Sequence, residues 1–165
     1  MGCVVASPTA GSCGIIPGCL LTLQEERGLT DDDLIDALFT AAIVGVVMHF
    51  QQISFSGVVG GCQGEIGVSS AMAAAALTYL GGGDAEAILH SVALSLKNLL
   101  GLICDPIAGP IEVPCIKRNS VGVANAFAAA DMALAGIRSF IPPDEVLDAL
   151  RNVQADLPVH KQQSV

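Results

Sequence analysis

Residues 65–83, EIGVSSAMAAAALTYLGGG, carry no charge after Glu65 and close on three glycines. Alanine, methionine and leucine are strong helix formers, and a glycine run is a helix stop, so the stretch predicts a helix over 65–80. Its residues are small and apolar on nearly every face, as in a helix enclosed by other protein. A chain with such an element needs further helices to surround it.

The flanking sequence supplies them. Thr30 is an N-cap, and Asp31, Asp32 and Asp33 fill a first turn where carboxylates complement the helix dipole. Leu34, Ile35, Leu38, Ala41 and Ala42 follow at helical spacing, and the apolar character continues to Phe50. Within that run, His49 in VVMHF reads as a core histidine before it reads as a catalyst. Ser54, Ser56, Gly57, Gly60 and Gly61 predict a loop leading to Cys62. Asp84 caps a helix over 85–100, and Pro142-Pro143-Asp144 opens a last one running to about Val153. Helices are also expected over 15–26 and 120–136, the latter apolar nearly all round and so, like 65–80, expected to be enclosed. Strand signals are thin: aromatics make up 4%, and only Ile111–Pro114 looks extended. The fold class is all-α, a compact bundle of about six helices with Gly/Pro-rich loops carrying the site.

With 165 residues, the chain is the size of one domain, and 1–165 is expected to be a single domain with a frayed tail over 154–165. The composition is 52% hydrophobic and 14% charged, with a mean hydropathy of +0.63, more apolar than an ordinary free-standing domain. The longest charge-free run, 37–64, carries His49, Gln51, Gln52, Ser54 and Ser56. Its apolar part, Leu38–Phe50, is shorter than the roughly 20 residues that span a bilayer, so no membrane is expected. The apolar excess then calls for protein partners, a second copy or another chain. A net charge of −9, with no basic cluster beyond Lys117-Arg118, argues against nucleic acid. There is no basic segment followed by an apolar core at the start, and the expected location is cytoplasmic.

Six cysteines, at 3, 13, 19, 62, 104 and 115, form no CxxC pair. Cys3 and Cys19 read as buried apolar thiols. Cys62, Cys104 and Cys115 are 42 and 11 positions apart, which by spacing alone is a weak metal signal. Their context adds to it. Cys62 and Cys115 each precede an expected helix, where partial positive charge favours a thiolate. Pro106, Pro110 and Pro114 stiffen CDPIAGPIEVPC at 104–115. At the other end, ASPTAGSCGIIPG at 6–18 reads either as a plain turn or as a loop whose glycines admit an anion to a helix start.

Three blocks, SPTAGSCGIIPG, GGCQGEIGVSSAMAAAAL and KNLLGLICDPIAGPIEVPCIKRN, resemble the α chain of the iron-sulfur-dependent L-serine dehydratases, also called L-serine ammonia-lyases. The resemblance extends from Cys3 to about Gly136. It implies that Cys62, Cys104 and Cys115 bind three irons of a [4Fe–4S] cluster and leave the fourth without a protein thiolate, the logic of an open catalytic metal site. It also implies dehydration and deamination of L-serine to pyruvate and ammonia, with Ser7, Thr9, Gly11 and Ser12 at the substrate carboxylate. The resemblance names no catalytic base: Lys97, Asn98 and Glu65 are the candidate catalytic residues, Lys97 and Asn98 as contacts to substrate or cluster, while Glu65 and Asp105 adjoin ligand cysteines, where they can hydrogen-bond to the site.

Against that family the chain reads as truncated at both ends, and SGVVGGC has Val59 where an acidic residue is expected. Activity is therefore expected to need a β chain or a missing α-chain segment. Two other functions fit the residues: a related lyase that cleaves cysteine, and a non-catalytic cluster-binding or scaffold protein.

Overall fold

The computed structural model describes residues 3–104 and 113–158, the latter with backbone alone at Val113 and Pro114. Among the described residues seven α-helices follow one another: α1 (Ile15–Arg27), α2 (Asp31–Phe50), α3 (Gly57–Gly60), α4 (Val68–Leu80), α5 (Ala85–Leu99), α6 (Val113–Leu134) and α7 (Pro143–Asp156). A π-helical turn, Gln63–Gly67, leads into α4. No strand occurs among the described residues, and the all-α expectation holds.

The alanine-rich helix is the axis of the bundle. Every residue from Val68 to Thr78 is buried, and α1, α2, α5 and α6 all pack on it. Single methyl groups on its faces let those neighbours approach closely. Its polar side chains are satisfied by its surroundings, as burial demands. The Ser70 hydroxyl donates to the Gly122 carbonyl at 2.8 Å and accepts from Asn125 Nδ2 at 2.9 Å. Asn125 Nδ2 also reaches Ser95 Oγ at 2.9 Å, and Asn98 Nδ2 donates to Asn125 Oδ1 at 2.7 Å. A polar seam thus ties α4, α5 and α6 together.

The caps form as their residue types dictate. Thr30 Oγ1 accepts from the Asp33 amide at 3.2 Å, while Asp33 Oδ2 accepts from the Thr30 amide at 2.8 Å, a reciprocal capping box. The Thr30 hydroxyl also donates to Asp33 Oδ2 at 2.7 Å, and this bond first, then the Thr30 amide's, holds the Asp33 carboxyl below its ordinary pKa. Asp84 Oδ1 accepts from the Ala87 amide at 2.8 Å, and Pro143 sits at the start of α7.

Several expectations are corrected. α6 begins at Val113 rather than Ser120, so Val113 and Pro114 are helical, not extended; proline in a first turn lacks an N–H that would be unsatisfied anyway. The other two residues expected to be extended, 111 and 112, lie outside the described residues, as do Asp105, Pro106 and Pro110. α6 is not enclosed: one side packs on α4 and α5, and Val121 and Leu134 face outward. The loop before Cys62 contains α3, capped by Ser56 Oγ accepting from the Val58 amide at 3.2 Å. α7 runs past Val153 to Asp156, and Gln154, assigned to the frayed tail, is buried. Its Oε1 accepts from the Ser54 amide and its Nε2 donates to the Ser54 carbonyl, both at 2.9 Å. Residues 159–165 lie outside the described residues.

α2 turns one face inward through Ala37, Ala41, Gly45 and Met48. Its other face is apolar and exposed, with Phe39 and Ile43 each 65% and Phe50 79% accessible. His49 lies on this outer side, not in the core as expected, because Met48 takes the inward position. By length and composition α2 is a helix long and apolar enough to cross a bilayer, at 20 residues with mean hydropathy 1.7.

Candidate functional site

Three cysteines from three different elements are buried at one end of the bundle. Cys62 is the residue before the π turn, Cys104 lies in the segment after α5, and Cys115 lies in the first turn of α6. Their accessibilities are 0%, 3% and 8%. Cys19 is buried as expected, whereas Cys3 is exposed.

Local backbone geometry brings the first two together. Gly61 has φ +70°, and a Cβ there would stand 3.1 Å from the Leu102 carbonyl oxygen and 3.6 Å from the Cys104 amide nitrogen. Only glycine permits both this left-handed conformation and this approach. The Gln63 amide then donates to the Leu102 carbonyl at 3.0 Å, and Gln63 Oε1 accepts from the Gly101 amide at 2.8 Å. The segment leading to Cys104 is thereby laid against Cys62.

The Cys115 thiol also senses its neighbours. Burial first, then the charges of Cys62, Glu65 and Cys104, push the Cys115 thiol up to about 11, against an opposing pull from Arg118. Cys62 has a cationic partner: Arg118 Nη1 donates to its Sγ at 2.9 Å.

No group of three His, Cys, Asp or Glu side chains among the described residues is arranged to hold a single metal ion. A single ion needs its donors converging at about 2.3 Å from one point. An iron-sulfur cluster instead takes each thiolate on a different iron, so its ligands surround a volume. Three buried thiols on separate elements, with a guanidinium beside one of them, suit that second chemistry.

The 7–14 loop lies against this centre. Ser12 is fully buried, its amide bonded to Thr9 Oγ1 at 3.3 Å and its hydroxyl to the Ser7 carbonyl at 3.3 Å. Thr9 Oγ1 and Ser12 Oγ are 3.0 Å apart, and Ser69 Oγ of α4 donates to the Ser7 carbonyl at 2.8 Å. The Thr9 and Ser12 hydroxyls and the Ser7 carbonyl therefore shape the loop. Gly11 meets Glu65: a Cβ on Gly11 would stand 2.9 Å from both carboxylate oxygens, and one on Gly57 would be 2.8 Å from Oε2. The half-buried Glu65 carboxylate thus lies in a cradle of two glycines, coupled to Cys115. The other catalytic candidates, Lys97 and Asn98, are exposed on α5, and Asn98 is bonded to Asn125.

Two residues that sequence reading passed over hold the site together. Asn119 Oδ1 accepts from the Gly14 amide at 3.0 Å, and its Nδ2 donates to the carbonyls of Gly11 and Cys115, both at 2.8 Å. Arg118 binds Cys62. Both belong to the block ending IKRN, yet Cys62, Gly14 and Gly11 lie 56 to 108 positions from them, beyond any spacing argument. The π turn at 63–67 was equally hidden, although such turns gather at functional sites.

A family profile described as "Serine dehydratase alpha chain" matches residues 1–164. The chain is 50% identical over 158 residues to a probable L-serine dehydratase, alpha chain, of Bacillus subtilis (strain 168), covering 96% of this chain and 52% of that protein. It is 46% identical over 158 residues to a probable L-serine dehydratase, alpha chain, of Latilactobacillus sakei, covering 96% and 75%. Over 153 residues it is 46% identical to the L-serine dehydratase, alpha chain, of Peptoniphilus asaccharolyticus, covering 93% and 52%. It thus spans about half the length of the first and third of these relatives. The chain belongs to the serine dehydratase alpha chain family.

Proposed function

We propose that this chain is the catalytic core of an iron-sulfur-dependent L-serine dehydratase, converting L-serine to pyruvate and ammonia in the cytoplasm. The observation that carries the reading is the meeting of Cys62, Cys104, Cys115 and Glu65 beside the 7–14 loop. Cys62, Cys104 and Cys115 would hold a [4Fe–4S] cluster. When bound, that group supplies Lewis acidity that helps a β-hydroxyl depart.

The chain's own residues do the remainder. The loop of Ser7, Thr9, Gly11 and Ser12 leads into α1, whose N-terminal partial positive charge suits the substrate carboxylate. Asn119 fixes that loop to α6, so carboxylate and cysteines keep a constant separation. Of Lys97, Asn98 and Glu65, Glu65 is the best placed base: its carboxylate shares a wall with Gly11, is coupled to Cys115, and accepts no hydrogen bond from the other described residues. It takes the α-proton as the β-hydroxyl leaves. The resulting aminoacrylate tautomerises and hydrolyses to pyruvate and ammonia.

A β chain, or a further α-chain segment, completes the enzyme. The exposed apolar face of α2 supports a protein partner, since patches of this kind mark interaction surfaces. The test is pyruvate release from L-serine by the anaerobically loaded, assembled enzyme. Glu65→Gln is expected to lower kcat by at least about a hundredfold with iron content unchanged. Product from L-cysteine but not from L-serine would assign the related cysteine-cleaving lyase. No product from either, with iron bound, would leave a non-catalytic cluster protein.

A further inference from the structure

Arg118 follows Cys115 by three positions on α6, so both side chains leave the helix on the same side. Its Nη1 donates to Cys62 Sγ at 2.9 Å and to the Ile103 carbonyl at 2.8 Å. Ile103 precedes Cys104. One guanidinium, carried by the helix that bears the third thiol, therefore grips the first thiol directly and the second through its neighbouring carbonyl. Its half-buried position reduces competition from water. A guanidinium stays charged at all working pH values and offers several donors in a fixed plane, and a charged donor makes the stronger class of hydrogen bond. Asn119, the next residue, ties the 7–14 loop to the same turn of α6. Consecutive side chains thus secure the two halves of the site.

We infer that Arg118 is the positioning residue of the three-cysteine centre, clamping the segments that carry Cys62 and Cys104 onto α6 and placing a fixed positive charge against the Cys62 sulfur. The inference rests on the cluster reading proposed above. It assigns two separable effects. The clamp keeps three thiols from different elements in register, so it governs how long the cluster is retained. The charge withdraws electron density from a ligand sulfur, and hydrogen bonds to cluster sulfurs raise the reduction potential. A lysine can restore the charge, but its shorter, flexible stem has no planar head to hold a nitrogen where Nη1 now sits between the Cys62 sulfur and the Ile103 carbonyl.

The experiment compares wild type, Arg118→Met and Arg118→Lys after anaerobic reconstitution with iron and sulfide, with Cys104→Ala as the variant that lacks a ligand. Iron per chain, the half-life of the cluster absorption in air and the reduction potential are measured on each. Melting of the iron-free proteins checks that all are folded. Arg118→Met is expected to lose its cluster about tenfold faster than wild type, the usual scale for removing a group that supports a metal ligand, and to have a more negative potential. Arg118→Lys is expected to recover most of the potential while still losing iron faster than wild type. A folded Arg118→Met that takes up no iron, while Arg118→Lys does, also supports the assignment. Retention and potential equal to wild type in both variants would overturn it and leave the cluster reading intact. A folded wild type that binds no iron would overturn both.

Discussion

Replacing Asn119 by alanine removes three hydrogen bonds at once: Gly14 N–H to Oδ1 at 3.0 Å, and Nδ2 to the Gly11 and Cys115 carbonyls at 2.8 Å. The last is local to α6, whereas the first two join α6 to the loop before α1. At about 1 kcal/mol each, the loss is about 3 kcal/mol. For a domain of this size the melting temperature then falls by about 6–12 °C. Asn119→Asp sharpens the test, because the Gly14 amide needs an acceptor while both carbonyls need a donor. A carboxylate keeps the first bond and sets a negative oxygen against two carbonyl oxygens. It should therefore be no more stable than the alanine variant, although only one atom differs from asparagine. Thermal melting of the iron-free chain, followed by circular dichroism, reads both variants, and hydrogen exchange at Gly14 should quicken in Asn119→Ala. A melting temperature within about 2 °C of wild type for Asn119→Ala, about 1 kcal/mol or less, would refute the claim that this side chain joins loop and helix.

Gln154→Ala breaks the paired bonds to the Ser54 backbone and should destabilise the chain by about 2–3 kcal/mol in a urea titration; an unchanged midpoint would return Gln154 to the frayed tail. Gly11→Ala puts a methyl 2.9 Å from both Glu65 oxygens. Because a carboxylate end can swing away, iron-free stability should change by less than about 1 kcal/mol while serine turnover falls at least about tenfold; equal turnover would remove Glu65 from the reaction. Burial pushes the Cys19 thiol up to about 12, so above about pH 9 the unfolded chain loses this proton and the folded chain keeps it. Stability should then fall by about 1.4 kcal/mol per pH unit from this group, and Cys19→Ala should show a shallower decline measured at pH 8, 9 and 10.

Most of the helical framework was legible because its signals are local. Thr30, Asp84 and Pro143 each act within their own first turn, and the alanine run of α4 declares its burial by having no polar face. The all-α bundle follows from such short-range facts. What escaped depends on contacts across the chain. Ser54–Gly61 reads as a loop because glycines dominate it, yet Ser56 caps a short helix there and Gln63–Gly67 just beyond wind into a π turn. Pro114 suggested extension because proline usually breaks helices, but in a first turn it fits. His49 looked internal by its apolar neighbours, and the register of α2 puts it outside.

The candidate site divides in the same way. The cysteines stood out by residue type, and the family resemblance assigned them a role. The structure brings Cys62, Glu65 and Cys104 into the electrostatic surroundings of Cys115. Ser12 reads as a substrate contact from its loop, whereas its fully buried side chain is spent on holding that loop. Lys97 and Asn98 attracted attention by preceding the cluster block, but they are exposed on α5. Arg118 and Asn119 look like an ordinary charged helix turn until folding places Cys62 and the 7–14 loop beside them.

The central claim is that Cys62, Cys104 and Cys115 together hold a [4Fe–4S] cluster, and iron and acid-labile sulfide content after anaerobic reconstitution tests it most directly. Wild type should contain about four irons and about four sulfides per chain, with the broad visible absorption of such a cluster, and Cys104→Ala should lose most of both. Folded wild type without iron, or Cys104→Ala with as much iron and sulfide as wild type, would contradict the account.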